Sequence, residues 1–275
     1  MEKSNEITML EYKQLLKIML KDLHNICMTN QLKYFVAYGT LIGAVRHDGF
    51  IPWDDDVDVC MPREDYEQLV KIISQGNYPY YMLTPENSLN YYNNFSRFCS
   101  NKGYLTLKGT INIDNLGPFI DVIPLDKVPE DHDERQRYYT EITKYYSMIR
   151  NSLPSRYYKT LHAKRYIKIR LNLVKRIYGK YVIGIEKAKR KRQELILKYK
   201  NEETRMLSGT FDRLSDKMIV YQDEISTLEL HKFEDIDVMI PSKYDDILTR
   251  TYGDYMKLPP ADERISLHHF TPFWK

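Results

Sequence analysis

Cysteine is scarce in this 275-residue chain: Cys27, Cys60 and Cys99 stand singly in apolar surroundings, and no CxxC pair occurs. That excludes a disulfide framework and argues against a zinc site, leaving buried thiols in a reducing cytoplasm as the expectation. Long apolar runs are lacking too. Nothing approaches the ~18 consecutive apolar residues of a spanning helix. The opening MEKSNEITML carries two acids in six residues where a signal peptide would build its apolar core, so export by that route is not expected. Internal repeats and low-complexity tracts are missing. No helix-turn-helix, zinc-finger or RNP-like pattern accompanies the basic residues, and no nucleic-acid partner is expected.

With 43% hydrophobic and 29% charged residues, the composition is that of a soluble globular protein. The formal charge of +3 hides an asymmetry. Between Arg156 and Arg192 stand 14 basic residues and one acid, Glu186, a local +13; the rest of the chain holds 27 basic and 37 acidic residues, or −10. An acidic body with a basic segment points to an anionic partner for that segment. The run RYIKIRLNLVKRIYGKYVIGI interleaves Ile, Leu, Val and Tyr with Lys and Arg, which suits an anionic bilayer surface. A solvated helical face explains the same charge run and stays open beside it.

Periodicity predicts the elements. Met9, Tyr12, Leu15, Leu16, Met19, Leu20, Leu23 and Ile26 recur at helical spacing over 8–30, with Thr8 and Glu11 placed as a capping box. KYFVAY, 33–38, reads as a strand feeding a turn at Gly39-Thr40, followed by a short helix to His47. A strand is expected over 57–61, ended by Pro62, and a helix over 63–74. Shorter strands are expected around 80–83, 95–100, 104–107 and 119–123, then helices over 130–150 and 156–200. Beyond Ser208-Gly209 the pattern gives strands at 228–233 and 236–240 and a helix at 242–252. The fold class is therefore α+β, a mixed sheet flanked by helices, in a single catalytic domain spanning 1–275 with a basic helical insertion at 130–200.

Chemistry concentrates in YGTLIGAVRHDGFIPWDDDVDVCMPREDY, 38–66, where Asp54, Asp55, Asp56 and Asp58 fall within five positions. Alternation along a strand points Asp56 and Asp58 the same way, and Asp54 with them if the extended conformation reaches back that far. Carboxylates so close repel unless one is protonated or a cation lies between them, and an all-oxygen set suits Mg²⁺ or Mn²⁺ shared with substrate phosphates. The competing reading is a solvated acidic turn capping the next helix; Val57 and Val59, apolar and β-branched, weigh against it. Gly39-Thr40, between a strand and a helix, can offer backbone N–H groups to a phosphate. Arg46 and His47 follow one to two turns later. A second acidic strand, FIDVIPLD, 119–126, sets Asp121 between Ile120 and Val122, where a buried carboxylate needs a partner. A metal shared with Asp56 and Asp58 would be one; the solvent face of a half-buried strand would remove the need.

GTLIGAVRHDGFIPWDDDVDV with MPREDY closely resembles the signature of the LicD family of phosphocholine transferases, to which the fukutin-type transferases are distantly related. FIDVIPLD and YGDYMKLPPADER with His268-His269 are similar to that family's later motifs. The resemblance implies a nucleotidyltransferase-like fold in which Gly39 and Thr40 stand for the glycine turn, Asp56 and Asp58 for the paired metal-binding carboxylates, and Asp121 for the third. Asp54 matches an additional acidic position. FSRFCSNKGYLT, holding Arg97, resembles the following segment less closely. The activity so implied moves a phospho-alcohol, commonly phosphocholine, from a CDP-linked donor such as CDP-choline to a hydroxyl of a surface glycan, teichoic-acid or lipopolysaccharide precursor, releasing CMP. Asp56, Asp58 and Asp121 would be catalytic, with Asp54 joining them as metal ligands. Arg46 would steady a donor phosphate, Trp53 or one of the 24 tyrosines would face a quaternary ammonium, and Gly39, Thr40, His47, Arg97, His268 and His269 would complete the substrate site. The expected location is cytoplasmic, peripheral at the inner membrane face through 156–192. Two other readings remain: a nucleotidyltransferase that attaches a nucleoside monophosphate to a small molecule, and a non-enzymatic membrane-binding adaptor.

Overall fold

Helix α1 (Met9–Thr29) opens on the expected capping box: the Glu11 N–H donates to Thr8 Oγ1, and the Thr8 N–H to Glu11 Oε2. The computed structural model describes residues 5–107, 113–153, 184–209, 214–266 and 270–275. The apolar stripe of α1, including Leu16, Met19, Leu20 and Leu23, is fully buried, as its spacing predicts. Truncating one such leucine to alanine costs about 2–5 kcal/mol.

The sheet is built from β1 (Phe35–Val36), β2 (Asp58–Pro62), β3 (Tyr80–Leu83), β4 (Ser96–Ser100), β6 (Phe119–Lys127), β7 (Met206–Gly209) and β8 (Ile219–Tyr221). Its order is β1-β2-β6-β4-β3, with β7 added to β6 and β8 to β7. β2 and β6 run parallel and set Asp58 opposite Asp121; the other pairs are antiparallel. Between β1 and β2 lies α2 (Tyr38–His47), and α3 (Arg63–Gln75) follows β2 directly. Two antiparallel pairs stand apart from this sheet: β5 (Gly103–Leu107) with β11 (Phe270–Trp274), and the hairpin of β9 (Leu228–Phe233) with β10 (Ile236–Pro241). The short helix α6 (Tyr244–Tyr252) follows β10.

Alternation assigns the two faces. Val57, Val59, Met61, Phe98, Ile120 and Val122 join α1 and α3 in the main core. Phe35, Cys60, Ile123, Leu125, Leu207 and Ile247 form a smaller core on the other face, the face that also takes Asp58 and Asp121. Helix α4 (His132–Ser152) packs through Tyr138 and Ile142 on Ile196 of α5 (Ile185–Ile196) and on Tyr199 in the turn that follows it. The mixed α+β class is as expected.

Several boundaries differ from the sequence reading. The strand expected over 33–38 shrinks to Phe35–Val36, because α2 begins at Tyr38 and takes Gly39-Thr40 into its first turn. The strand expected at 119–123 continues to Lys127, because β7 pairs with its second half. β7, β8 and β11 carry no period-2 signal long enough to be read. Most of the basic segment, 154–183, lies outside the described residues. Among the described residues, no helix is long and apolar enough to cross a membrane.

Candidate active site

Asp58 opens β2 and Asp121 lies beside it in register on β6, so two carboxylates meet across adjacent parallel strands. The acidic run alternates as a strand should: Asp55, Val57 and Val59 are buried, while Asp54, Asp56 and Asp58 are only partly covered. Asp55 therefore turns away from the other acids, and the Ser266 hydroxyl donates to its Oδ2 at 2.6 Å. The approach to the run is fixed by α1, whose Lys13 Nζ donates to the carbonyls of Ile51 and Pro52 at 3.3 and 3.0 Å.

The turn from β1 into α2 completes the site. Tyr38 holds φ at 50°, in the left-handed region that a bulky residue seldom adopts. The next residue has no room for a side chain: a Cβ on Gly39 would stand 2.7 Å from Asp54 Oδ2. Thr40 is buried, and its Oγ1 accepts the Asp58 N–H at 2.9 Å, tying the first turn of α2 to the start of β2. The first N–H groups of α2 have no partner within the helix, and they open beside the carboxylates.

Electrostatics mark Asp58 as the focus. Burial, then Asp56, Asp121 and Asp54 in that order, push its carboxyl well above the usual range, with Arg97 pulling the other way. Arg97 lies opposite Asp121 on β4 and donates its Nε to Asp121 Oδ1 at 2.8 Å. Its guanidinium is 3.7 Å from the centroid of the Phe119 ring and 5.8 Å from that of Tyr91. Burial works against this charge, yet Asp121, Tyr91 and Cys99 together raise the Arg97 pKa.

The other sequence-predicted residues occupy the rim or do different work. Arg46 donates Nη1 to the Tyr255 carbonyl and Nε to His47 Nε2, the latter at 3.0 Å. It thereby holds the segment after α6 to the end of α2. His47 meets Trp53 edge-on with ring centroids 6.2 Å apart, and Arg264 lies over the Trp53 ring at 5.6 Å. His268 and His269 lie outside the described residues. The sequence offers 24 tyrosines for an aromatic role without singling any out, and the structure draws attention to two. Burial and then Asp58, Asp54 and Asp56 push up the Tyr252 phenol at the end of α6, which puts it within electrostatic reach of those carboxylates. Tyr38 lines the same apolar cleft with Cys60 and Tyr252. The YGDYM motif was the available pointer to Tyr252.

Among the described residues, no group of three or more His, Cys, Asp or Glu stands close enough to hold a metal ion unaided. The donors around Asp58 are nonetheless all oxygen, with Asp56, Asp121 and Asp54 acting on it against Arg97. Such a set fits a hard divalent cation that completes its shell with water and substrate phosphates.

Two carboxylates on neighbouring strands thus stand beside a helix whose first turn carries a glycine pressed on a third. Residues 31–148 match the family described as LicD/FKTN/FKRP, nucleotidyltransferase domain. The lipopolysaccharide cholinephosphotransferase LicD of Haemophilus influenzae (strain ATCC 51907 / DSM 11121 / KW20 / Rd) is 28% identical to it over 255 residues, 89% of this chain and 90% of that protein. An uncharacterized protein of Rickettsia prowazekii (strain Madrid E) is 40% identical over 72 residues, covering 26% of this chain and 27% of the relative.

Proposed function

We propose that this protein transfers phosphocholine, or a related phospho-alcohol, from a CDP-linked donor to a hydroxyl of a glycan or lipid-linked glycan, releasing CMP. The observation that carries this reading is the pairing of Asp58 with Asp121 beside Gly39, in a chain similar over 89% of its length to a lipopolysaccharide cholinephosphotransferase.

In the proposed reaction the acceptor oxygen bonds to the phosphorus that bears the alcohol. The bond from that phosphorus to the oxygen shared with the CMP phosphate breaks, and CMP leaves with the electron pair. Arg97 engages Oδ1 of Asp121, so Oδ2 is the oxygen assigned to take the acceptor's proton. The N–H groups at the start of α2 hold donor phosphate where Gly39 lets it approach. Tyr38 and Tyr252 supply an aromatic wall for the quaternary ammonium, in place of Trp53, whose face is taken by Arg264. Asp54, Asp56, Asp58 and Asp121 are the residues proposed to hold Mg²⁺ or Mn²⁺, which would neutralise the diphosphate and stabilise the departing CMP.

A screen of CDP-choline, CDP-ethanolamine, CDP-glycerol and CDP-ribitol for CMP release, with and without divalent metal, tests reaction class and donor together. CMP from at least one donor, dependent on metal and abolished by Asp58→Asn, is expected; turnover by that variant without metal would refute the reading. The matched family's description also supports nucleotidyl transfer by the same carboxylates. Release of pyrophosphate from a nucleoside triphosphate, with no CMP from any CDP-alcohol, would select it.

A further inference from the structure

Two cations on α5 are buried and make no ion pair among the described residues, although Glu86 acts on both at longer range. Lys189 donates Nζ to the carbonyls of Pro85 and Ser88 at 2.9 and 2.7 Å, and Arg192 donates Nη1 and Nη2 to those of Tyr92 and Asn93 at 2.6 and 3.0 Å. Arg192 is 2% exposed, and burial pushes its pKa down to about 10. Buried charge whose hydrogen bonds go to backbone carbonyls is an expensive way to fasten a loop. The loop in question spans 84–94 and leads straight into β4. It carries Tyr91, fully buried, whose ring lies against the Arg97 guanidinium that engages Asp121.

We propose that Arg192 is a positioning residue for the active site: through the carbonyls of Tyr92 and Asn93 it sets Tyr91 against Arg97, and so fixes the carboxylate orientation of Asp121. This rests on the catalytic reading of Asp121 given above. α5 lies outside the matched family domain, so this chain holds a site strand from a helix that the domain itself does not include.

Arg192→Met and Arg192→Lys are compared with Arg135→Met, which removes another buried arginine, held by Asp216 and the carbonyls of Pro129 and Glu130. Arg192→Met and Arg135→Met are both expected to lower Tm. Only Arg192→Met should lower kcat for CMP release, by about 10- to 100-fold with KM for the donor unchanged. It should also shift or broaden the Arg97 Nε–H signal in ¹⁵N NMR, assigned by its loss in Arg97→Lys. Arg192→Lys, which keeps the charge but reaches fewer carbonyls, should give an intermediate kcat. Equal loss of kcat in Arg192→Met and Arg135→Met would overturn the proposal, as would an unchanged Arg97 signal in Arg192→Met. If the wild-type protein releases no CMP from any donor, the catalytic reading fails by itself, while the Arg97 signal still reports whether Arg192 sets that side chain.

Discussion

Asp58 is a carboxyl whose folded environment opposes its charge. Its proton is held more tightly in the fold than in the unfolded chain, so stability declines as pH rises from the unfolded value through the folded one. Asp58→Asn removes the charge and keeps the shape. Thermal unfolding at pH 7 should show it more stable than the wild type by about 1–2 kcal/mol, about 2–8 °C in Tm, while CMP release is lost. A lower Tm would mean that the carboxylate is net stabilising where it stands. Gly39 gives a second prediction at this scale. Because a Cβ would press on Asp54 Oδ2, Gly39→Ala should keep the fold and lower kcat by about 10-fold or more, with circular dichroism unchanged. Full activity in that variant would show that the first turn of α2 has slack.

At the scale of elements, the joint between β6 and α3 is an ion pair inside the protein. Arg63, the first residue of α3, donates Nε and Nη2 to Asp126 at 2.7 and 2.5 Å, and Asp126 is 3% exposed. Arg63→Met strips that carboxylate of its guanidinium and should destabilise by about 3–5 kcal/mol in urea unfolding. A loss below about 1 kcal/mol would show that water reaches Asp126. Helix α1 carries a pH effect of its own. His24 Nδ1 shares a hydrogen bond with the Tyr34 hydroxyl at 2.8 Å, and burial lowers its pKa. The unfolded chain then takes up the proton first, so stability is full above the ordinary histidine value and falls as pH drops through it. His47 shifts the same way, by burial and then Arg46. In the Asp58→Asn background, which removes the opposing carboxyl effect, urea midpoints should fall between pH 7.5 and pH 5.5, and His24→Gln should flatten that slope; an unchanged slope would assign the effect elsewhere.

Across the whole molecule, the +13 segment and the −10 body do not divide as cleanly as the sequence suggests. Lys189 and Arg192, counted among the positive charges, are buried against loop carbonyls, and Lys191 pairs with Glu194 at 2.8 Å. The proposed contact with an anionic bilayer therefore depends on the residues before α5. Co-sedimentation with phosphatidylglycerol vesicles should be lost on charge reversal within 164–176 and kept in Lys191→Glu. Equal pelleting of all three proteins would remove membrane contact from the reading.

The sequence by itself determined the local features: the buried stripe of α1, the strand–helix order around 38–75, and the alternation that turns Asp54, Asp56 and Asp58 one way and Asp55 the other. These depend on helical and strand periodicity over a few residues, which the chain carries in its own order. Tertiary structure decided the rest. Asp121 meets Asp58 only because β6 pairs parallel with β2, and it meets Arg97 only because β4 pairs antiparallel on the other side of β6. Arg46 looked like a phosphate ligand and holds the Tyr255 carbonyl, 209 residues away; Arg192 looked like surface charge and fastens a loop 99 and 100 residues upstream. The partner of a long cation is set by which desolvated oxygen the fold brings within reach, and no spacing along the chain encodes that distance.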